Sequence, residues 1–303
     1  MNMTANVKKV LRKLDWMREQ RIWPNGMRYL WTDAFGVVLL VSLYHELKQK
    51  DFLDEAQQVV VDVERVLGRP RGFRIGEAPD RDGQYFHYLA MWIFALTRLG
   101  KMVPEYRAKA IQLVKNIHPA FTIPGRGVHW KMLEDLSAPY PGLGLGALDP
   151  FHGYVVYRLL DEDALADEIR QMKTIVERSY EELAITQDLG LGMMLWMTHF
   201  FPDERWARVH HERSLAILDR MWIDPPGYFC RELGVPSVKF AFTNLGVSLG
   251  LQAVDASPAR VARLNSFFET YRSGDDYDTD AITHVMACVS SFPGEFTPRR
   301  IGA

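Results

Sequence analysis

Helical segments of two kinds take turns along this chain. In residues 52–67, Phe52, Ala56, Val59, Val63 and Val66 recur at spacings of three and four, while Asp54, Glu55, Gln58, Asp62 and Arg65 fill the opposite face. That is the pattern of a helix with one side on a core and the other in water. The same pattern is set by Val7, Leu11 and Leu14, by Tyr106, Ala110, Leu113 and Ile117, and by Leu165, Ile169, Met172 and Val176. It returns with Val209, Leu218 and Met221 and with Val261, Leu264, Phe268 and Tyr271. Between these lie six segments that are apolar nearly all round, at 34–44, 85–96, 151–160, 189–197, 245–251 and 281–289. A helix without a polar face must be surrounded by protein. Six one-sided and six enclosed helices in alternation predict an inner ring wrapped by an outer ring. The expected fold is an all-α (α/α)6 toroid of six helical hairpins, as a single domain over residues 1–303. Gly68 with Pro70, Gly100 and Pro119 supply stop signals, and Pro258 suits the first position of a helix.

Each enclosed segment opens on a polar cluster: Thr32-Asp33, Asp82-Gly83-Gln84, Asp149-Pro150, Gln187-Asp188, Thr243-Asn244 and Asp278-Thr279-Asp280. These residue types are good helix caps, which explains any one of them. If the enclosed helices run parallel, the six clusters and six helix N-termini line one mouth, where the helix dipoles are positive. Aromatic and imidazole rings gather at the same level. Trp31, Tyr85, His87, His152 and His284 fall in first turns, and the 125–146 loop adds His129, Trp130 and Tyr140. Polar groups among rings describe a small-molecule pocket.

Composition narrows the partners. With 48% hydrophobic and 24% charged residues in 303, the chain has ample material for one core. Its 36 basic and 38 acidic residues are interspersed, so no basic field exists to collect nucleic acid. The N-terminus lacks the apolar stretch of a secretory signal, and the longest apolar runs are about half the roughly 20 residues of a membrane span. A cytoplasmic protein without a membrane span, acting on a small-molecule substrate, is expected; the sequence sets no oligomeric state. Cys230 and Cys288 form no metal-binding spacing, and no His pair sits one turn apart on an enclosed helix, so neither a metal nor a cofactor is expected.

The strings RYLWTDAFGV, DGQYFHYLAMWIFAL, DPFHGYVVYRLL and DLGLGMMLWM resemble the six-hairpin glycosidase-like superfamily, in an uncharacterised branch. The resemblance runs from about Arg28 to Phe296 and implies the (α/α)6 toroid independently of periodicity. It also implies acids or histidines at the inner-helix mouth. The expected function is a glycoside hydrolase-like enzyme acting on a short or modified saccharide. Hydrolysis needs a protonated carboxyl to assist the leaving group and a second carboxylate to activate water. Asp82, raised in pKa by Tyr85, His87 and apolar neighbours, is the candidate acid, and Asp149 is the candidate base. Trp31, Asp33, Gln84, Tyr85, His87, Trp130, His152, Asp188, Asn244, Asp278, Asp280 and His284 are the candidate substrate-binding residues. Three alternatives remain. A sugar epimerase or isomerase would move protons with His87, His152 and His284. A terpene cyclase-like enzyme would hold one Asp of the Asp276-Tyr277-Asp278-Thr279-Asp280 run protonated in an apolar cavity. A non-catalytic toroid would only bind its ligand.

Overall fold

The computed structural model describes residues 4–223, 228–230, 241–272 and 274–298. It divides into two compact units, Met27–Leu183 and Met1–Gly26 with Ala184–Ala303. Twelve α-helices occur among the described residues.

In the unit Met27–Leu183 the helices are α2 (Leu30–Leu47), α3 (Lys50–Leu67), α4 (Phe86–Gly100), α5 (Glu105–Phe121), α6 (Asp149–Leu160) and α7 (Ala166–Ser179). Helix α2 is buried continuously from Leu30 to Leu43, whereas α3 buries only one stripe, including Phe52, Ala56, Val59, Val60, Val63 and Leu67. The apolar pattern and the burial therefore coincide. Helix α4 packs between α2 and α6, and each of the three has its own one-sided partner, α3, α5 or α7. This unit is three hairpins, with the enclosed helices adjacent to one another. By length and composition α2 could cross a membrane, but 78% of its window is buried, which makes it a core helix.

The other unit repeats the plan. It holds α1 (Ala5–Glu19), α8 (Asp188–Thr198), α9 (Arg205–Ile223), α10 (Ala241–Ala253), α11 (Pro258–Thr270) and α12 (Ala281–Ser291). Helix α10 packs against α8 and α12; α9 lies on α8 and α11 on α10, while α1 takes the outer place beside α12. The first and last helices of the chain thus make one hairpin. Helices α8 and α10 cross in backbone contact, because a Cβ on Gly192 would stand 2.4 Å from the Gly246 carbonyl oxygen and one on Gly250 2.2 Å from that of Gly192. Only glycine allows that approach.

Short strands that periodicity did not predict brace the loops before the enclosed helices of the first unit. The strands β1 (Gly68–Arg69) and β2 (Gly72–Phe73) pair, as do β3 (Gln84–Tyr85) with β6 (Lys131–Met132) and β4 (Thr122–Ile123) with β5 (Gly127–Val128). Gln84 ties the braces together. Its Oε1 accepts from the Phe73 N–H at 3.0 Å, and its Nε2 donates to the carbonyls of Arg71 (3.0 Å) and Glu134 (2.7 Å). The Glu134 carboxylate is gripped by Arg69 and Arg74, each at 2.7 Å. Gly72 lies at φ +106, and a Cβ there would strike the Gln84 Oε1. Glycine is required on both counts.

Candidate active site

The structure gathers the candidates of the first unit where α2, α4 and α6 begin. Pairing of β3 with β6 sets Tyr85 opposite Lys131, and the Phe86 N–H donates to the Trp130 carbonyl at 3.2 Å, so the 131 strand is latched to the start of α4. His87 follows in the first turn of α4. Its Nδ1 is 3.5 Å from the Asp149 Oδ1 at the start of α6; the His87 side chain is 22% exposed and that of Asp149 only 3%. Burial pushes the Asp149 carboxyl above the usual carboxylate range, and hydrogen bonds from His87 pull it part of the way back. Gly146 lies directly over this carboxylate, since a Cβ there would be 1.4 Å from Oδ2.

His152, one turn beyond Asp149, is 2% exposed. Neither of its ring nitrogens has a hydrogen-bond partner among the described residues. Burial holds its pKa down to about 3, with His87 nearby adding to the effect, so the ring is neutral at physiological pH and presents one donor and one acceptor. The Trp31 Nε1 is a second buried group without a partner among the described residues. Unsatisfied buried polar groups are uncommon and call for an explanation such as a ligand or a catalytic role. Rings enclose the pair: His87 stacks on Tyr85 (centroids 5.4 Å) and meets Tyr88 (4.7 Å) and Trp31 (5.9 Å) edge-on, and Trp130 stacks on Tyr85 at 5.1 Å.

Three candidates of this unit have a different setting from the one the sequence suggested. Asp82 lies four residues before α4, with its side chain 42% exposed. Its carboxylate accepts from the Lys131 Nζ at 3.0 Å and the Tyr140 hydroxyl at 2.9 Å. The Lys131 hydrogen bond in particular holds its pKa below the ordinary value, with Tyr140 adding to the effect. The expected upward shift is thereby corrected, because Asp82 faces a cation instead of an apolar wall. Gln84 is fully buried and its amide is spent on backbone groups, as described above. Asp33 is fully buried, ion-paired with Arg28 at 3.1 Å and accepting from the Tyr29 N–H at 3.2 Å.

In the other unit, Asp188 accepts from Thr243 and from the Asn244 Nδ2 (2.8 Å), and the Asn244 Oδ1 is a buried acceptor without a partner among the described residues. Asp280 is the N-cap of α12, accepting from the Ile282 N–H at 3.3 Å. Asp278 accepts from the Gly274 N–H at 2.8 Å, and Asp276 and Asp280 are exposed. The acidic run is therefore a solvated turn that caps a helix, not an acid in an apolar cavity. His284 donates through Nε2–H to the Asp278 carbonyl (2.8 Å) and packs edge-on against Trp16. Burial above all, then Lys13, lowers its pKa to about 4.

Lys131, Tyr88 and Gly146 escaped the sequence reading. Lys131 sits next to Trp130 in a loop whose two-residue strand is too short to show a period, and its partner Asp82 is 49 residues away. Among the described residues, no group of three or more His, Cys, Asp or Glu side chains is placed to hold a metal ion.

No protein-family model matches the sequence, and no curated protein sequence does either. Solved structures do match. A D-mannose isomerase superposes with a TM-score of 0.63 at 11% identity, covering 96% of this chain and 99% of its own. The α-1,6-mannanase GH76A of a Salegentibacter species gives 0.64 at 11% identity, covering 94% and 98%. The cellobiose 2-epimerase of Bacillus thermoamylovorans gives 0.63 at 11% identity, covering 95% and 99%. At such identity the likeness speaks for the fold, over essentially the whole length of both partners. The three hairpins of each unit are accordingly the six of an (α/α)6 toroid, and that is the fold of this chain.

Proposed function

We propose that the chain is a sugar isomerase or epimerase in which His87 transfers a proton at the carbon beside the sugar carbonyl. The observation that carries this reading is the His87–Asp149 pair, with His152, unpartnered among the described residues, beside it. A base that takes a carbon-bound proton near neutral pH is best supplied by imidazole. Asp149, behind Nδ1, favours the tautomer that leaves Nε2 as the acceptor and stabilises the imidazolium formed on proton uptake. The C2–H bond of an aldose breaks, its electrons form the C1–C2 double bond, and the carbonyl oxygen takes a proton to give an enediol. Return of a proton to C1, with loss of one from the C2 hydroxyl, gives the ketose; return of a proton to C2 from the opposite face, with loss of one from the C1 hydroxyl, gives the epimer. His152, neutral and bearing both a donor and an acceptor, is suited to shuttle protons between the two oxygens.

Hydrolysis is less well supported. It requires two carboxyl groups in different protonation states on either side of a glycosidic bond. Here Asp82 is fixed as an anion by Lys131 and Tyr140, and Asp149 is engaged by His87. An inactive variant of the Salegentibacter mannanase has two neighbouring aspartates replaced, and the Asp-Asp pair of this chain, Asp275-Asp276, is exposed in a turn before α12. The similarity in fold to a D-mannose isomerase and a cellobiose 2-epimerase supports this reading. The test is a panel of aldoses, ketoses and disaccharides followed by proton NMR. New ketose or C2-epimer signals that disappear in His87→Asn support the proposal. Release of free sugar from a glycoside with no change at C2 overturns it.

A further inference from the structure

Trp130 is a large apolar residue left 37% exposed, with its ring stacked on Tyr85 at 5.1 Å and 26°. Tyr85 stacks in turn on His87 at 5.4 Å and 28°. The main chain of Trp130 is held on both sides, its backbone N–H donating to the Gly144 carbonyl at 3.1 Å and its carbonyl accepting from the Phe86 N–H at 3.2 Å. Below it the Lys131 Nζ lies 3.6 Å from the Tyr140 ring centre and 5.4 Å from that of Tyr85, pinned by Asp82. Leu145, 44% exposed and bridged to His129, extends the apolar rim. Covering such a ring would release water and exploit a surface that needs no reordering.

The geometry points to an oligosaccharide, not a free monosaccharide, as the substrate class, with its reducing end at His87 and an outer sugar ring stacked on Trp130. The inference rests on the isomerase or epimerase reading and deepens it. Trp130 and His87 stand at most two ring-stacking steps apart, since each contacts Tyr85. Tyr85 itself is occupied by these stacking partners, so the next place for a sugar face is the open side of the indole. A single pyranose at His87 does not reach it. The first ring beyond the reducing end, or the second, does.

The test compares kcat/KM for a monosaccharide, its disaccharide and its trisaccharide in the parent, Trp130→Ala and Trp130→Phe. In the parent, kcat/KM should rise roughly tenfold with chain length, about the value of a good stacking contact. Trp130→Ala should erase that gain through KM, with kcat and monosaccharide turnover unchanged, and Trp130→Phe should restore part of it. Equal kcat/KM at all three lengths, or a loss in Trp130→Ala that is the same for monosaccharide and oligosaccharide, overturns the inference. Turnover at no length overturns the isomerase reading instead. Calorimetric binding of the same series to His87→Asn then decides the platform by itself: tighter binding of the longer sugars that vanishes on adding Trp130→Ala supports it, and length-independent binding refutes it.

Discussion

Replacing Asp149 with Asn separates chemistry from folding. Asn keeps the volume, so no cavity opens at this 2% exposed position. The folded pKa of Asp149 lies above 3.8, so between 3.8 and the raised value the folded state holds a proton that the unfolded state has lost. Stability therefore falls as pH rises through that window and stays lower above it. Asn removes this penalty and also weakens the charge-assisted bond to His87, a contact of about 1.5–3 kcal/mol. The two terms oppose each other, and the net change should be about 1 kcal/mol or less, roughly 2–4 °C in Tm. Turnover should respond much more strongly. An amide accepts or donates according to its rotamer, so it neither fixes the His87 tautomer nor stabilises imidazolium. A loss of about 10²–10⁴ in kcat is expected, equivalent to about 2.7–5.5 kcal/mol in the barrier. Circular dichroism melting and steady-state assay of the converted sugar read the two effects independently. Near-parental turnover in Asp149→Asn would refute the pairing argument, and a collapse in Tm would make Asp149 a structural residue.

Asp82→Asn should lose less than about tenfold in turnover and about 1 kcal/mol in stability, because its carboxylate is a part-exposed partner of Lys131; a hundredfold loss with the fold intact would restore the two-carboxylate hydrolase. The lowered folded pKa values of His152 and His284, about 3 and about 4, mean that the unfolded chain takes up protons first as pH falls below 6.5. Stability should therefore decline from pH 6.5 downward, and urea melts should show a flatter decline in His152→Asn. Gly192→Ala should cost about 1–3 kcal/mol by forcing α8 from α10, whereas Gly144→Ala, with nothing within 4 Å, should be near neutral in the same melts.

The alternation of enclosed and one-sided helices was legible because burial imposes it residue by residue: α2 shows no polar face until His45, and α3 shows one throughout. The pairing of α1 with α12 was not legible, because it joins helices at opposite ends of the described chain and leaves no local pattern. The site was legible in its residue types and less so in its roles. Asp, Asn and Thr before an enclosed helix look alike in sequence, yet Asp280 caps a helix, Asp33 pairs with Arg28, Asp149 backs His87 and Asp82 holds Lys131. These differences depend on partners 49 to 62 positions away for Asp82 and Asp149, brought close by two-residue strands and helix packing that leave no periodic trace. Gln84 was misleading for the same reason, its amide facing loop carbonyls that no pattern announces.

Proton transfer between His87 and carbon is read most directly by exchange with solvent. The converted sugar should be incubated in D2O with the parent and with His87→Asn, and deuterium at C1 and C2 followed by NMR and mass spectrometry. Deuterium should enter at C2 of the epimer or C1 of the ketose in the parent, with no entry above the uncatalysed rate in His87→Asn. Conversion without deuterium at either carbon, or undiminished exchange in His87→Asn, would contradict proton transfer by His87.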